Sequence, residues 1–234
     1  MPFAHIRAIL FDKDGTLFDF SASWSGWAEA LLDDLSKGTP ECRARLAEAI
    51  HFDIGAGRFD PASPVIAGTL EEAADLLLPH LPDMRFERLR DYLVASATRA
   101  EMVPPVPLTP LMARLTAHGF TLGVATNDAH EAAEMHLIRA GIHSHFAHVL
   151  GYDSGYTPKP APDMLLGFAS RAGLSPESVV MVGDSTHDLI AGRRAGMATI
   201  GVLTGLAPIE ELAPHADAVL PDIGHLPEVL GLAL

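Results

Sequence analysis

A chain of 234 residues that is 48% hydrophobic can bury a large core, either as one generous domain or as a core carrying a smaller insertion. Its formal net charge of −14, with arginines scattered rather than clustered, argues against nucleic acid as a partner, and no apolar run approaches the ~20 residues needed to cross a bilayer. Cys42 is the single cysteine, which excludes an internal disulfide, and Met1-Pro2-Phe3-Ala4-His5 lacks a basic segment leading into an apolar one; a cytoplasmic location is expected.

Ile6 to Phe11 is short and apolar and stops at a polar Asp-Gly turn, which predicts a buried strand. Helical periodicity follows over 19–103. Trp24, Trp27, Ala28, Leu31, Leu32 and Leu35 share one helical face, and Thr69 with Glu72 predicts a capping box ahead of Ala73, Ala74 and Leu77. Phe86, Leu89 and Leu93 continue the period, and Cys42 reads as a small hydrophobe on one of these helices. Pro104, Pro105 and Pro107 form a stiff return. Strand-like runs then recur at Phe120 to Ala125, Ala147 to Leu150, Val179 to Val182, Thr199 to Leu203 and Ala216 to Leu220. Between them, Thr109-Pro110 predicts a helix start stopped by Gly119, and Asp128 with Glu131 predicts a capping box for a helix ending at Gly141. The alternation predicts an α/β fold: a parallel sheet covered on both faces, built from residues 1–18 and 104–234, with an all-helical insertion over 19–103.

The chemistry-bearing residues sit just beyond the predicted strands. Asp12 and Asp14, two apart, point to the same side at the carboxyl end of the first strand, where open parallel sheets bind ligands. Carboxylates so close repel unless a cation lies between them, and Mg²⁺ prefers such oxygen ligands. Asp12 is then suited to attack phosphorus, and Asp14 to protonate a leaving alcohol and deprotonate the water that follows. Alone, Asp-x-Asp-Gly reads equally as an ordinary turn. Thr126 and Asn127 place a hydroxyl and an amide at another strand end, where both can meet a phosphoryl oxygen or simply start the next helix. Lys159 lies between Pro158 and Pro160, a stiff setting for an aimed cation, against the plain reading of a loop lysine. Asp184 can ligate the metal directly, and Asp188, four residues on, can act through water or by orienting Lys159; Asp184 or Ser185 can also cap the helix that begins there.

Asp-x-Asp-Gly-Thr at Asp12 to Thr16, the hydroxyl of Thr126, Lys159, and Gly-Asp-x-x-x-Asp at Gly183 to Asp188 together resemble the haloacid dehalogenase superfamily, in order, spacing and position. The resemblance implies a Rossmann-like core with a helical cap inserted after the first motif. It also implies Mg²⁺ held by the Asp12 carboxylate, the Asp14 main-chain carbonyl and the Asp184 carboxylate, with Asp188 nearby. Lys159 and the metal would offset the repulsion between nucleophile and phosphate. The acid at Asp14 favours phosphate monoester hydrolysis or phosphosugar mutation over dehalogenation, and the layout is most similar to the phosphoglycolate phosphatase group. A catalytically idle phosphate-binding module is the reading from another class.

Lys13 departs from the family pattern, which has an apolar residue there. It can meet an anionic leaving group or pair with a carboxylate of the cap. Arg58, in the Gly-rich loop Gly55 to Arg58, can pair with a substrate carboxylate or stay in solvent. His143, His145 and His148 lack a partner at ligand spacing, whereas His187 lies inside the last motif. The expected substrate is a small phosphorylated metabolite; the pattern sets no oligomeric state.

Overall fold

Apolar runs of three to five residues, each closed by a polar or glycine-containing loop, become the strands of one sheet in the computed structural model, which describes residues 3–232. Met1 and Pro2 of the N-terminal segment, and the last two residues of the predicted core, lie outside the described residues. The first strand, β1 (Ala8–Phe11), leads into α1 (Phe20–Ser36), α2 (Pro40–Ala49), the two-residue strands β2 (Phe52–Asp53) and β3 (Arg58–Phe59), α3 (Leu70–Leu77) and α4 (Phe86–Thr98). The chain returns through α5 (Leu108–Ala117) and β4 (Thr121–Ala125) to α6 (His130–Arg139), β5 (Phe146–Leu150) and α7 (Asp163–Ala172). It closes with β6 (Val179–Gly183), α8 (Thr186–Ala195), β7 (Ala198–Val202), α9 (Ile209–Leu212), β8 (Ala218–Leu220) and α10 (Leu226–Val229).

The large sheet has the order β5-β4-β1-β6-β7-β8, and every neighbouring pair is parallel. Side chains alternate across it: Ile9, Phe11, Val180 and Val182 enter one hydrophobic cluster, and Ala8, Leu10, Val179 and Met181 the other. Burial on both faces explains why the strands read as continuous apolar runs rather than alternating ones. The segment between β1 and α5 packs around a third cluster that includes Trp24, Leu31, Leu32, Leu46, Leu77 and Leu89. Besides its helices this segment carries the β2–β3 hairpin, whose strands are too short to leave a period in the sequence.

Thr69 and Glu72 form the predicted capping box at the start of α3. Two helix starts differ from prediction. In α5 the cap position is Pro107, so Thr109 and Pro110 lie within the first turn, where a missing N–H loses no intrahelical bond. In α6 the cap position is Ala129 with no side-chain cap, because the Asp128 carboxylate is drawn to Lys13 instead.

Candidate active site

β4, β1 and β6 lie side by side, with β5 next to β4, so their carboxyl ends deliver four loops to one edge of the sheet. The strand ladders run one residue further than the strands. The Asp12 N–H donates to the Val182 carbonyl (2.8 Å) and the Thr126 N–H to the Leu150 carbonyl (2.9 Å), which fixes both residues against their neighbours. Asp12, Thr126, Asn127, Lys159, Asp184 and Asp188 are all buried.

Lys159, in the loop after β5, donates from Nζ to Asp12 Oδ1 (2.7 Å) and Asp188 Oδ1 (2.6 Å). Its loop is held by Asn127, whose Oδ1 accepts from the Lys159 N–H (3.0 Å) while Nδ2 donates to the carbonyls of Lys159 (2.9 Å) and Ala67 (2.8 Å). The Lys159–Pro160 peptide is cis. Asp188 also accepts, through Oδ2, from the Ser185 hydroxyl (2.6 Å) and N–H (3.1 Å), so the start of α8 is capped and the same carboxylate aims the lysine. The helix cap at Ser185 and the orienting contact of Asp188 with Lys159 thus coexist.

Asp184 depends on two glycines. Gly15 has φ of +78°, and a β-carbon on it or on Gly205 would overlap the Asp184 carboxylate. The Thr204 hydroxyl donates to the Gly15 carbonyl (2.6 Å), binding the loop after β7 to the Asp-Gly turn, and Thr16 Oγ1 donates to Asp184 Oδ1 (3.3 Å). Thr204 and Gly205 belong to no recognisable motif in the sequence. Their only signal is that they follow a further strand end.

Asp12, Asp184 and Asp188 each offer an oxygen within 4.8 Å of the other two. Three carboxylates face one ammonium, so the cluster holds two surplus negative charges when ionised. Burial, reinforced by Asp188 and Asp14, pushes the Asp12 carboxyl up to about 7 despite Lys159. Burial and the neighbouring Asp12 and Asp188 carboxylates raise Asp184 well above the ordinary range. Burial works against the Lys159 charge, but Asp12 and Asp188 outweigh it and raise the pKa. A divalent cation would balance the surplus, and an all-oxygen donor set suits Mg²⁺.

Beneath this cluster is a second one. Lys13, fully buried, donates to Asp14 Oδ1 (2.6 Å), contacts Asp128 Oδ2 (3.1 Å) and lies 3.2 Å from His136 Nδ1. His136 Nε2 is 2.9 Å from the Ala97 carbonyl on α4. These partners assign the tautomer: Nε2 carries the proton and Nδ1 accepts from Lys13. Burial, and then Lys13, lower the His136 pKa to about 4, so the ring is neutral. The Trp24 indole N–H donates to Asp14 Oδ1 (2.8 Å), and its ring packs 5.3 Å from Lys13 Nζ. Asp14 is thus gripped by a lysine from below and a tryptophan from the insertion.

A cavity of about 850 Å³, counted with its open mouth, lies over Asp12. Asp12, Asp14, Thr126, Lys159, Asp184 and Asp188 all reach it, and so does His187. Three predicted roles change. Lys13 does not line the cavity; its charge is spent on Asp14 and Asp128, both outside residues 19–103. Arg58 is exposed on β3, and strand alternation turns its neighbour Phe59 inward in its place. Asn127 reaches the cavity, but its amide is engaged by the Lys159 loop and Ala67 rather than offered to a ligand. His143 pairs with Glu134 (2.9 Å) and joins no metal-holding group among the described residues.

The family model of haloacid dehalogenase-like hydrolases matches residues 6–196, and the chain belongs to that family. It is 33% identical to the "probable phosphatase IndB" of Dickeya dadantii, over 96% of this chain and 92% of that one. It is also 33% identical to a phosphoglycolate phosphatase of Neisseria meningitidis, with the same coverage. Among solved structures, a predicted phosphoglycolate phosphatase from Haemophilus somnus superposes with a TM-score of 0.71 at 21% identity, over 96% of this chain and 98% of that one, a likeness of fold.

Proposed function

We propose that the protein is a Mg²⁺-dependent phosphomonoester hydrolase acting on a small phosphorylated metabolite through an aspartyl-phosphate on Asp12. The observation that carries this reading is the buried convergence of Asp12, Lys159, Asp184 and Asp188 at the carboxyl edge of the sheet, with Asp14 in the same cavity. Phosphatase relatives that match over nearly the whole chain support it.

Asp12 attacks phosphorus, and the bond from phosphorus to the ester oxygen breaks. Asp14 gives its proton to the departing alcohol; with Oδ1 held by Lys13 and Trp24, Oδ2 is the oxygen that handles the proton. Asp14 then takes a proton from water, which attacks phosphorus, releases inorganic phosphate and restores Asp12. Lys159 steadies Asp12 and meets the phosphoryl oxygens. Asp188 and Asn127 keep Lys159 in place. The Thr126 Oγ1 accepts from the Asp128 N–H (3.1 Å), which directs its own proton away toward the phosphoryl group. Asp12, Asp184 and the Asp14 main-chain carbonyl would hold Mg²⁺, which when bound would supply positive charge to offset repulsion between nucleophile and phosphate. Asp188 holds Lys159 and the start of α8, and offers an oxygen to the same acidic cluster as Asp12 and Asp184.

We assign residues 19–103 as the cap that covers the site and 1–18 with 104–234 as the catalytic core. The lone cysteine and the acid surplus fit a cytoplasmic enzyme with no nucleic-acid partner, and no described helix is long and apolar enough to cross a membrane.

Asp12→Asn tests the reading. Phosphate release from an aryl phosphate with Mg²⁺ should fall by about 10³-fold or more while the fold is retained. Near-normal turnover would remove Asp12 as nucleophile; with a hexose phosphate as substrate instead, isomerised sugar phosphate in place of inorganic phosphate would indicate a mutase.

A further inference from the structure

The cavity over Asp12 has two unlike halves. Its floor is the acidic cluster with Lys159. Its roof, supplied by residues 20–77, presents Trp24, Trp27, Leu31, Ile50, Phe59 and Leu77. The polar atoms of the roof side chains are committed elsewhere. The Trp24 N–H goes to Asp14 (2.8 Å) and the Trp27 N–H to Ser96 Oγ (3.1 Å). The Thr69 hydroxyl is bound to its capping partner Glu72 (3.2 Å), whose carboxylate also occupies the start of α3, the helix terminus on the roof side of the cavity. Of the sixteen lysines and arginines in the chain, Lys159 alone lines the cavity, and it serves the phosphoryl end.

Resting on the hydrolase reading above, we propose that the leaving group is an uncharged, ring-sized apolar alcohol, so that the substrate class is the phosphomonoesters of aromatic or similarly apolar alcohols. A carboxylate on the leaving group would lose its water against hydrocarbon, find no cation among the roof side chains and face the acidic floor. A flat apolar group gains contact with both indoles and with Phe59. This sets the chain apart in preference from a phosphatase whose substrate carries a carboxylate beside the phosphate.

The test compares 4-methylbenzyl phosphate with 4-carboxybenzyl phosphate, whose leaving alcohols are of nearly equal acidity, using the Mg²⁺-loaded enzyme. The expected kcat/KM is at least about 10-fold higher for the methyl compound. Trp27→Arg, which offers a guanidinium to the roof, should narrow that ratio. A second readout does not need turnover. The only two tryptophans both line the cavity, so intrinsic fluorescence reports its occupation. The non-hydrolysable 4-methylbenzylphosphonate should perturb it at concentrations at least about 10-fold lower than the 4-carboxy analogue. Equal or reversed preference in wild-type turnover or phosphonate binding overturns the inference, even if both esters are hydrolysed and the phosphatase reading survives. Preferential phosphonate binding with no phosphate released from either ester supports the inference and defeats the phosphatase reading.

Discussion

Lys13 is fully buried between two carboxylates. Its charge is tolerated because Asp14 and Asp128 surround it; burial opposes the ammonium, but the two carboxylates raise its pKa. Removing it leaves carboxylates in low dielectric without their cation, and Asp128 Oδ2 has no hydrogen-bond donor to fall back on. Lys13→Met should therefore cost about 3–5 kcal/mol in urea unfolding, the usual penalty for breaking a buried pair. It should also slow turnover, since Asp14 loses one of the two donors that orient it. Unchanged stability would show that the pair has no structural weight. The sequence presented Lys13 as an anomaly beside the motif, yet its partners lie at positions 14, 24, 128 and 136, and only chain folding brings the last two within reach.

At the scale of elements, the sheet was legible because central parallel strands must be apolar throughout, and each run ended where a polar loop begins. The motif residues were legible for the same reason, since a strand end determines where the next side chain stands. Asp12, Thr126 and Asp184 follow this rule. Side chains whose direction depends on packing did not. Arg58 reads as a free loop cation, but pairing of Phe52 with Phe59 turns the apolar neighbour inward and leaves the guanidinium in solvent. Asn127 reads as a phosphoryl donor, but the main chain of the Lys159 loop satisfies its amide. Asp128 reads as a helix cap, and a buried lysine more than a hundred residues earlier takes it instead. In each case a local rule yields to a stronger long-range partner. The β2–β3 hairpin was invisible because two-residue strands carry no period.

Across the whole molecule, the insertion and the sheet meet through the site itself. Trp24 reaches Asp14, Ala67 accepts from Asn127, and Ala97 faces His136. The acid surplus would make a bound metal part of stability as well as chemistry. The Asp12 carboxyl is raised from an ordinary 3.8 to about 7, chiefly by burial. Between those values the folded protein keeps a proton that the unfolded chain has released, so this group's contribution to stability falls as pH rises through that window. A Mg²⁺ ion held at Asp12 would have to displace the same proton, so its binding would be more favourable at the upper end. The Tm gain on adding Mg²⁺ to chelator-treated protein should thus be larger at pH 8 than at pH 5.5. Equal gains at both would place the metal away from Asp12.

The central claim is that phosphate passes through Asp12. The most direct measurement is an acid quench during turnover of a phosphomonoester, followed by borohydride reduction and peptide mass spectrometry. Substrate-derived phosphate is expected on Asp12, so that reduction turns this aspartate into homoserine, a product absent in Asp12→Asn. Turnover without any modification at Asp12, or with phosphate carried by another residue, would contradict it.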